Sequence, residues 1–322
     1  MPTFCRHGGL IERCPICRVS VQAPAAKPGP RSGRAKPAAR TQSARPGARS
    51  ATGRGGVRVR REARAVDDGY RCILVPGLRA EIEARNLARE VAFAAGRLAL
   101  LAADPPALYG EAAGEPDIEE ATWLVFLITH LSPLEAEDPF AGIRAVRTRW
   151  DSDESPAPDG AARGPRSTVD PTRPTRTLEA YRRWAAAAGS QQAAFTGDPG
   201  WTPQRRFERV YERLSLPGFG RQGRYDLLVS LGHLGIHSLR APGLLLTEDD
   251  ATGVAAKRVF AIGDRMTLER RASALAGAAG VPIEALDLGL ANWAGGTRVT
   301  LGVAPQTSDP KAEAGVLRAL EL

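Results

Sequence analysis

The sequence predicts an all-α protein, and three observations carry that prediction. Apolar residues recur at three- and four-residue spacing in one segment after another, and alternating strand-like patterns are nearly absent. The apolar stock is mainly Ala, Leu and Val with only 6% aromatic residues, a supply that favours helices over sheets. At 322 residues, 43% of them hydrophobic, the chain can bury one large core or two modest ones.

The elements follow in chain order. Leu87, Val91, Ala95, Leu98 and Ala102 mark one face of a first helix. Ile118 to Leu131, with Trp123-Leu-Val-Phe-Leu-Ile128 at its centre, is apolar nearly all round and predicts a buried central helix. Leu178, Tyr181, Ala185 and Ala188 make a third stripe. Thr202-Pro203 reads as an N-cap and first-turn proline, followed at helical spacing by Phe207, Val210, Tyr211 and Leu214. A further helix begins near Arg221. Leu268, Ala272, Leu275 and Ala279 mark another, and Pro282 opens a last one with Ile283, Leu286, Leu290 and Trp293 on its face. The helical domain is expected over residues 67–303, interrupted by a polar loop insertion at 151–174 of the length that is usually functional or disordered. Residues 304–322 are weakly patterned and read as a C-terminal tail, and no repeat of solenoid period is present.

Charge is unevenly placed. Residues 1–64 carry fifteen Lys/Arg against two acids, Glu12 and Glu62, which leaves 29 basic and 34 acidic residues for the remainder. The overall excess of +8 therefore belongs to the N-terminal arm. Residues 19–66, rich in Pro, Gly, Ala, Ser and Arg, read as a disordered basic linker. Such an arm attracts a polyanion through counterion release, without reading sequence.

Three of the four cysteines lie within the first seventeen residues. Cys5-Arg-His7 and Cys14-Pro-Ile-Cys17 supply four ligands suited to tetrahedral zinc, so residues 1–18 are expected to form a small zinc-binding module. A closed four-ligand set points to structural zinc. The first eighteen residues lack a signal-peptide apolar run, and no segment approaches the roughly 18 apolar residues of a membrane span. A cytoplasmic protein is expected, with no membrane partner and no small-molecule cofactor.

The sharpest motif is Leu216-Pro217-Gly218-Phe219-Gly220-Arg221-Gln222-Gly223, lying between two predicted helices. Apolar-Pro-Gly-apolar-Gly is the turn of a helix-hairpin-helix. Glycines at 218 and 220 let backbone amides approach a phosphate, the next helix presents its positive end to it, and Arg221 could add a charged contact. The expected partner is DNA, held by its backbone and not by its bases.

Hairpin, spacer and carboxylate in that order resemble the helix-hairpin-helix superfamily of DNA glycosylases. There an essential Asp follows the hairpin and caps the next helix. The matching segment here is Leu246-Thr-Glu-Asp249-Asp250-Ala-Thr-Gly-Val-Ala-Ala-Lys257-Arg258-Val-Phe260. The resemblance implies catalysis by Asp250 or Asp249, the second of the pair preferred. Gln222 stands where bifunctional members carry a lyase Lys, which implies base removal without strand cleavage. The interval from Gln222 to Asp250 is longer than in that superfamily. The Cys-x-His and Cys-Pro-x-Cys pairs, Leu127-Ile-Thr-His-Leu-Ser-Pro133, Ala194-Phe-Thr-Gly197, the hairpin and Ala256-Lys-Arg-Val-Phe260 are similar to a group described as alpha-glutamyl/putrescinyl thymine pyrophosphorylase. A relative of that group is an anti-phage glycosylase that removes alpha-glucosylated hydroxymethylcytosine, so the resemblance implies a phage-modified base.

Three activities fit these signals. The first is monofunctional hydrolysis of the N-glycosidic bond of a modified base, leaving an abasic site, as in anti-phage defence. The second is base hypermodification of the thymine pyrophosphorylase type, and the third is non-catalytic binding of modified DNA. In the first, a flipped nucleotide would place developing positive charge at C1′ beside the carboxylate. Lys257 and Arg258, two turns into that helix, could meet phosphate or a base substituent. His233 and His237 stand at i,i+4 spacing without an obvious third ligand, and with His130 they read as packing residues. Trp123, Tyr181, Trp184 and Trp293 could stack a flipped base, but core packing is the default for each.

Overall fold

The computed structural model describes residues 65–152, 158–247 and 250–322. Cys5, His7, Cys14, Cys17, the basic arm and Asp249 lie outside the described residues. Those described form twelve α-helices and no strand, with a single isolated bridge between Leu216 and Phe219. The protein is all-α over this region.

The core is built on a long pair. Helix α1 (Glu81–Ala103) buries the predicted Leu87, Val91, Ala95 and Leu98 against α11 (Ile283–Gly295), which buries Leu286 and Leu290. The two backbones approach at Gly289, where a Cβ would lie 2.8 Å from Val91 Cγ2 and 2.9 Å from Val91 Cα. Helix α10 (Arg265–Ala279) adds Leu268, Ala272, Leu275 and Ala279. Short α2 (Ala107–Gly114) leads into α3 (Ile118–Leu131), which starts on the side-chain cap of Asp117 and is buried from Glu120 to Leu131. Around it lie α4 (Ala141–Val146), α5 (Arg176–Ala187) and α6 (Gln191–Thr196).

Trp123 and Tyr181 are fully buried and stack through Phe126, so both are core residues and not a base-stacking platform. Trp123 donates Nε1–H to Thr148 O at 2.8 Å, and Tyr181 donates its hydroxyl to Gln191 Oε1 at 2.6 Å. Trp184 packs edge-on against Phe195.

Two segments depart from the sequence reading. Residues 310–319 are not a tail but a helix, α12 (Pro310–Ala319), capped by Asp309 and packed on α1 and α10. Its buried face is Ala312, Gly315 and Val316, and a Cβ on Gly315 would sit 2.2 Å from Ala279 O. Within the polar insertion, residues from Gly164 onward pack closely on the end of α3. Gly164 N–H donates to Leu131 O and Ser132 O, and Thr168 N–H donates to His130 O.

Candidate functional site

Helix α7 (Pro203–Arg213) starts as predicted, with Thr202 Oγ1 accepting from Arg205 N–H at 3.2 Å and Pro203 in the first turn. The chain then reverses at Leu216-Pro217-Gly218-Phe219. Phe219 N–H donates to Leu216 O at 3.1 Å, and Gly218 holds φ +79°, where a Cβ would be strained and would also meet Thr177 Oγ1 at 2.8 Å. Thr177 donates its hydroxyl to Pro217 O at 2.7 Å. Phe219 is buried against Phe126, with ring centroids 5.5 Å apart, and pins the turn to the core. Pro217, Gly218 and Gly220 remain exposed.

Helix α8 (Arg221–His233) begins directly after this turn with Gly220 as its N-cap. Gly220 provides no side-chain acceptor, whereas Asp117, Ser190, Thr202, Asp264 and Asp309 each cap their own helices. The first-turn amides of α8 thus keep their hydrogen-bonding capacity for an external acceptor. A Cβ on Gly220 would meet nothing within 4 Å, so this approach is open.

The other turn residues have different roles from those expected. Arg221 does not face outward. Its side chain is 2% exposed, with Nη1 paired to Asp287 Oδ1, Nη2 donating to Leu244 O, and Nε 3.2 Å from Asp250 Oδ2. Its guanidinium also lies over the Tyr225 ring, 4.4 Å from the centroid. Burial opposes its charge, but Asp287 and Asp250 outweigh it and raise its pKa. Gln222 donates Nε2–H to Arg166 O at 3.3 Å. Gly223 is a packing glycine, since a Cβ there would lie 2.7 Å from Thr168 Cγ2.

Beneath the turn lies a buried charge network. Arg166 makes a two-pronged pair with Asp226, at 2.8 and 2.9 Å, and reaches Asp287 Oδ2 at 3.2 Å. Burial favours a neutral Asp287, but Arg221 and Arg166 hold its pKa below the usual carboxylate range. Arg166, Asp226 and Asp287 were not singled out from the sequence. Asp287 had a signal: it is a carboxylate embedded in the apolar run Leu286-Asp287-Leu288. Arg166 had none, being one cation in a polar stretch.

Asp250 is the N-cap of α9 (Ala251–Phe260), its Oδ1 accepting from Gly253 N–H at 2.5 Å. Its Oδ2 is buried and, although near Arg221 Nε, is not aligned for a hydrogen bond. The carboxylate is 16% exposed. On the neighbouring α7, the Tyr211 hydroxyl is another buried atom without a hydrogen-bond partner. Arg224 covers the Tyr211 ring at 4.2 Å and donates to Tyr211 O at 3.1 Å. Burial raises the Tyr211 pKa against the opposing pull of Arg224 and Arg221. The turn, Arg221 and Asp250 therefore form one continuous structure.

Lys257 and Arg258 diverge. Lys257 lines a cavity of about 270 Å³ with Leu246, Thr247, Gly263, Arg265 and Leu268. Arg258 pairs with Glu83 and lies over Trp293, 4.5 Å from the centroid. Trp293 itself donates Nε1–H to Glu83 O at 3.0 Å. The histidines do not share a site. Helix α8 ends at His233, which faces Arg240, while buried His237 pairs with Thr122 Oγ1 at 2.9 Å. His130 is buried with Nδ1 2.7 Å from Thr168 Oγ1. Among the described residues, no three His, Cys, Asp or Glu side chains gather as a metal site.

Residues 166–298 match the family model of alpha-glutamyl/putrescinyl thymine pyrophosphorylase clade 3. The matched stretch is less than half of the chain, yet it holds the turn, Asp250, Lys257 and the whole Arg166–Arg221–Asp226–Asp287 network. No curated protein and no solved structure matches the chain. The similarity is thus to a family concerned with thymine hypermodification, and it lends no support to the wider helix-hairpin-helix glycosylase superfamily.

Proposed function

We propose that the protein is a base-modifying enzyme of the thymine pyrophosphorylase type, acting on a modified pyrimidine in DNA. The carrying observation is the 3.2 Å approach of Arg221, the first residue after the glycine turn, to Asp250. It joins an uncapped helix end suited to a DNA phosphate to a carboxylate suited to a reacting nucleotide. The match over residues 166–298 supports the choice of substrate class.

In this reading the turn works as a helix-hairpin-helix. Backbone amides at Gly218, Gly220 and the start of α8 hold a phosphate, and Arg221 works from below by fixing α8 to Asp250 and Asp287. The base leaves the stack to reach the protein. Asp250 places its carboxylate charge at the positive end of α9, beside Arg221. That charge stabilises positive charge building on carbon as a leaving group departs. In hypermodification the carbon belongs to the base substituent, an incoming nucleophile gives its electron pair to that carbon as the leaving group departs with its own, and the base stays attached to the sugar.

A second reading is monofunctional glycosylase action, in which the carbon is C1′ and the free base is released. The position of Asp250, capping α9, the helix that follows the helix-turn-helix of α7 and α8, favours keeping it. The two separate in one experiment: DNA from phages bearing different base modifications, including alpha-glucosylated hydroxymethylcytosine, is incubated with the full chain. Mass spectrometry of nucleosides and of released small molecules, with alkali cleavage for abasic sites, reads the result. Altered nucleosides without abasic sites support hypermodification. Free base with abasic sites supports the glycosylase, and unchanged DNA throughout leaves a binding protein. Cys5, His7, Cys14 and Cys17 complete the proposal as structural zinc ligands, tested by metal analysis of wild type against Cys14→Ala.

A further inference from the structure

Resting on the reading of Asp250 as the carboxylate beside the reacting nucleotide, we propose that Lys257 and Arg265 form a subsite for a phosphoryl group of the same ligand. Their cavity has an apolar floor, buried Leu246 and Leu268, and a rim of Thr247, Gly263 and the two cations. Neither Lys257 nor Arg265 makes an ion pair among the described residues, whereas Arg166, Arg221, Arg258 and Arg298 are all matched to carboxylates. The neighbouring Asp264 is occupied as the cap of α10, accepting from Thr267 N–H at 2.8 Å. Two cations without an ion pair among the described residues, at one cavity mouth, favour a group of negative charge.

The cavity and the carboxylate both draw on α9, Lys257 from its last turns and Asp250 from its cap. Val254 and Lys257, at i and i+3, share a face of α9, and Asp250 caps the start of the same helix. Seven residues of helix place Lys257 roughly 10 Å along the axis from Asp250. That is too far to touch the reacting bond and close enough to hold a group carried by the same or the adjoining nucleotide. Between them Val254 is 58% exposed, and Met266, next to Arg265, is 78% exposed. A carboxylate, an apolar pad and a cationic pocket in sequence suit a sugar or base lying on Val254 with its phosphoryl end beyond. At about 270 Å³ the cavity has room for a phosphoryl or diphosphoryl group.

The phosphoryl group has two possible sources, a pyrophosphoryl substituent on the base or a backbone phosphate of the strand. The test uses the full chain as wild type, Lys257→Gln/Arg265→Gln, Lys257→Arg and Asp250→Asn. Calorimetry measures binding of inorganic pyrophosphate, and fluorescence anisotropy measures an unmodified oligonucleotide at several salt concentrations. Pyrophosphate binding weakened about tenfold or more in the double variant, and retained in Lys257→Arg, assigns the subsite to a pyrophosphoryl substituent. Unchanged pyrophosphate binding with weaker oligonucleotide binding, the salt slope falling by about one per cation removed, assigns it to the backbone. Wild-type binding of both probes by the double variant overturns the subsite. The Asp250 assignment is read on its own by the turnover of Asp250→Asn on modified DNA, followed by mass spectrometry, so its failure and failure of the subsite are distinguishable.

Discussion

Asp287 carries one guanidinium on each carboxylate oxygen, Arg221 on Oδ1 and Arg166 on Oδ2. All three side chains are nearly fully buried. Removing the shared anion leaves two buried cations short of a partner, which costs roughly 3–5 kcal/mol for a buried pair. Asp287→Asn should therefore lower the urea midpoint strongly, while Asp264→Asn, at an exposed cap, should lower it little. The depressed Asp287 pKa contributes stability above the ordinary carboxylate pKa, and that contribution is lost as pH falls through the depressed value. A midpoint for Asp287→Asn equal to wild type would refute this role.

Asp250→Asn separates charge from capping. Asn caps helices about as well as Asp, so α9 should persist, and the loss of stability should come from the charge removed beside buried Arg221, smaller than in Asp287→Asn because Asp287 still pairs with that guanidinium. DNA affinity should stay within a few-fold of wild type, and base modification or release should be lost. Retained turnover in this variant would remove Asp250 from the chemistry.

Gly220→Asp gives an outcome of opposite sign for stability and binding. Open space surrounds the site, and a carboxylate at the N-cap would satisfy amides of α8 and complement its dipole, adding about 1 kcal/mol of stability. The same carboxylate would occupy the place proposed for the DNA phosphate. Denaturation should show an equal or higher midpoint, and anisotropy should show weakened DNA binding. Undiminished binding would place the phosphate elsewhere.

Acid should destabilise the fold through its histidines. Burial, aided by Arg163 at His130 and Arg206 at His237, lowers both pKa values to about 4. The unfolded chain takes up these protons near pH 6.5 and the folded chain only near 4, so stability falls as pH drops through that window. The slope is bounded at roughly 1.4 kcal/mol per pH unit for each histidine. Urea midpoints at pH 7, 6 and 5 should fall, and His237→Gln should fall less steeply. Identical slopes would show that His237 is not responsible.

The helices legible in the sequence are those whose burial rests on large aliphatic residues, as in α3 or in the Leu268–Ala279 stripe. Helix α12 escaped because Ala312 and Gly315 achieve close packing by lacking bulk, which hydropathy does not register. The glycine turn was legible because Gly218 and Gly220 answer local demands, positive φ at one and open access at the other. Arg221 was legible as a residue and misassigned as a contact. Its orientation depends on Asp287, 66 positions away, and no local pattern encodes that partnership.

The carbonyls of Leu244 and Leu245 also meet Arg221, which ties the segment leading to Asp250 to the start of α8. The turn and the Asp250 carboxylate, the two parts to which the proposed function gives strand and nucleotide, thus share one guanidinium. On the proposed function, a shift of α8 under a bound strand would move Arg221 and with it the charge facing Asp250, so binding and chemistry would be coupled through one side chain.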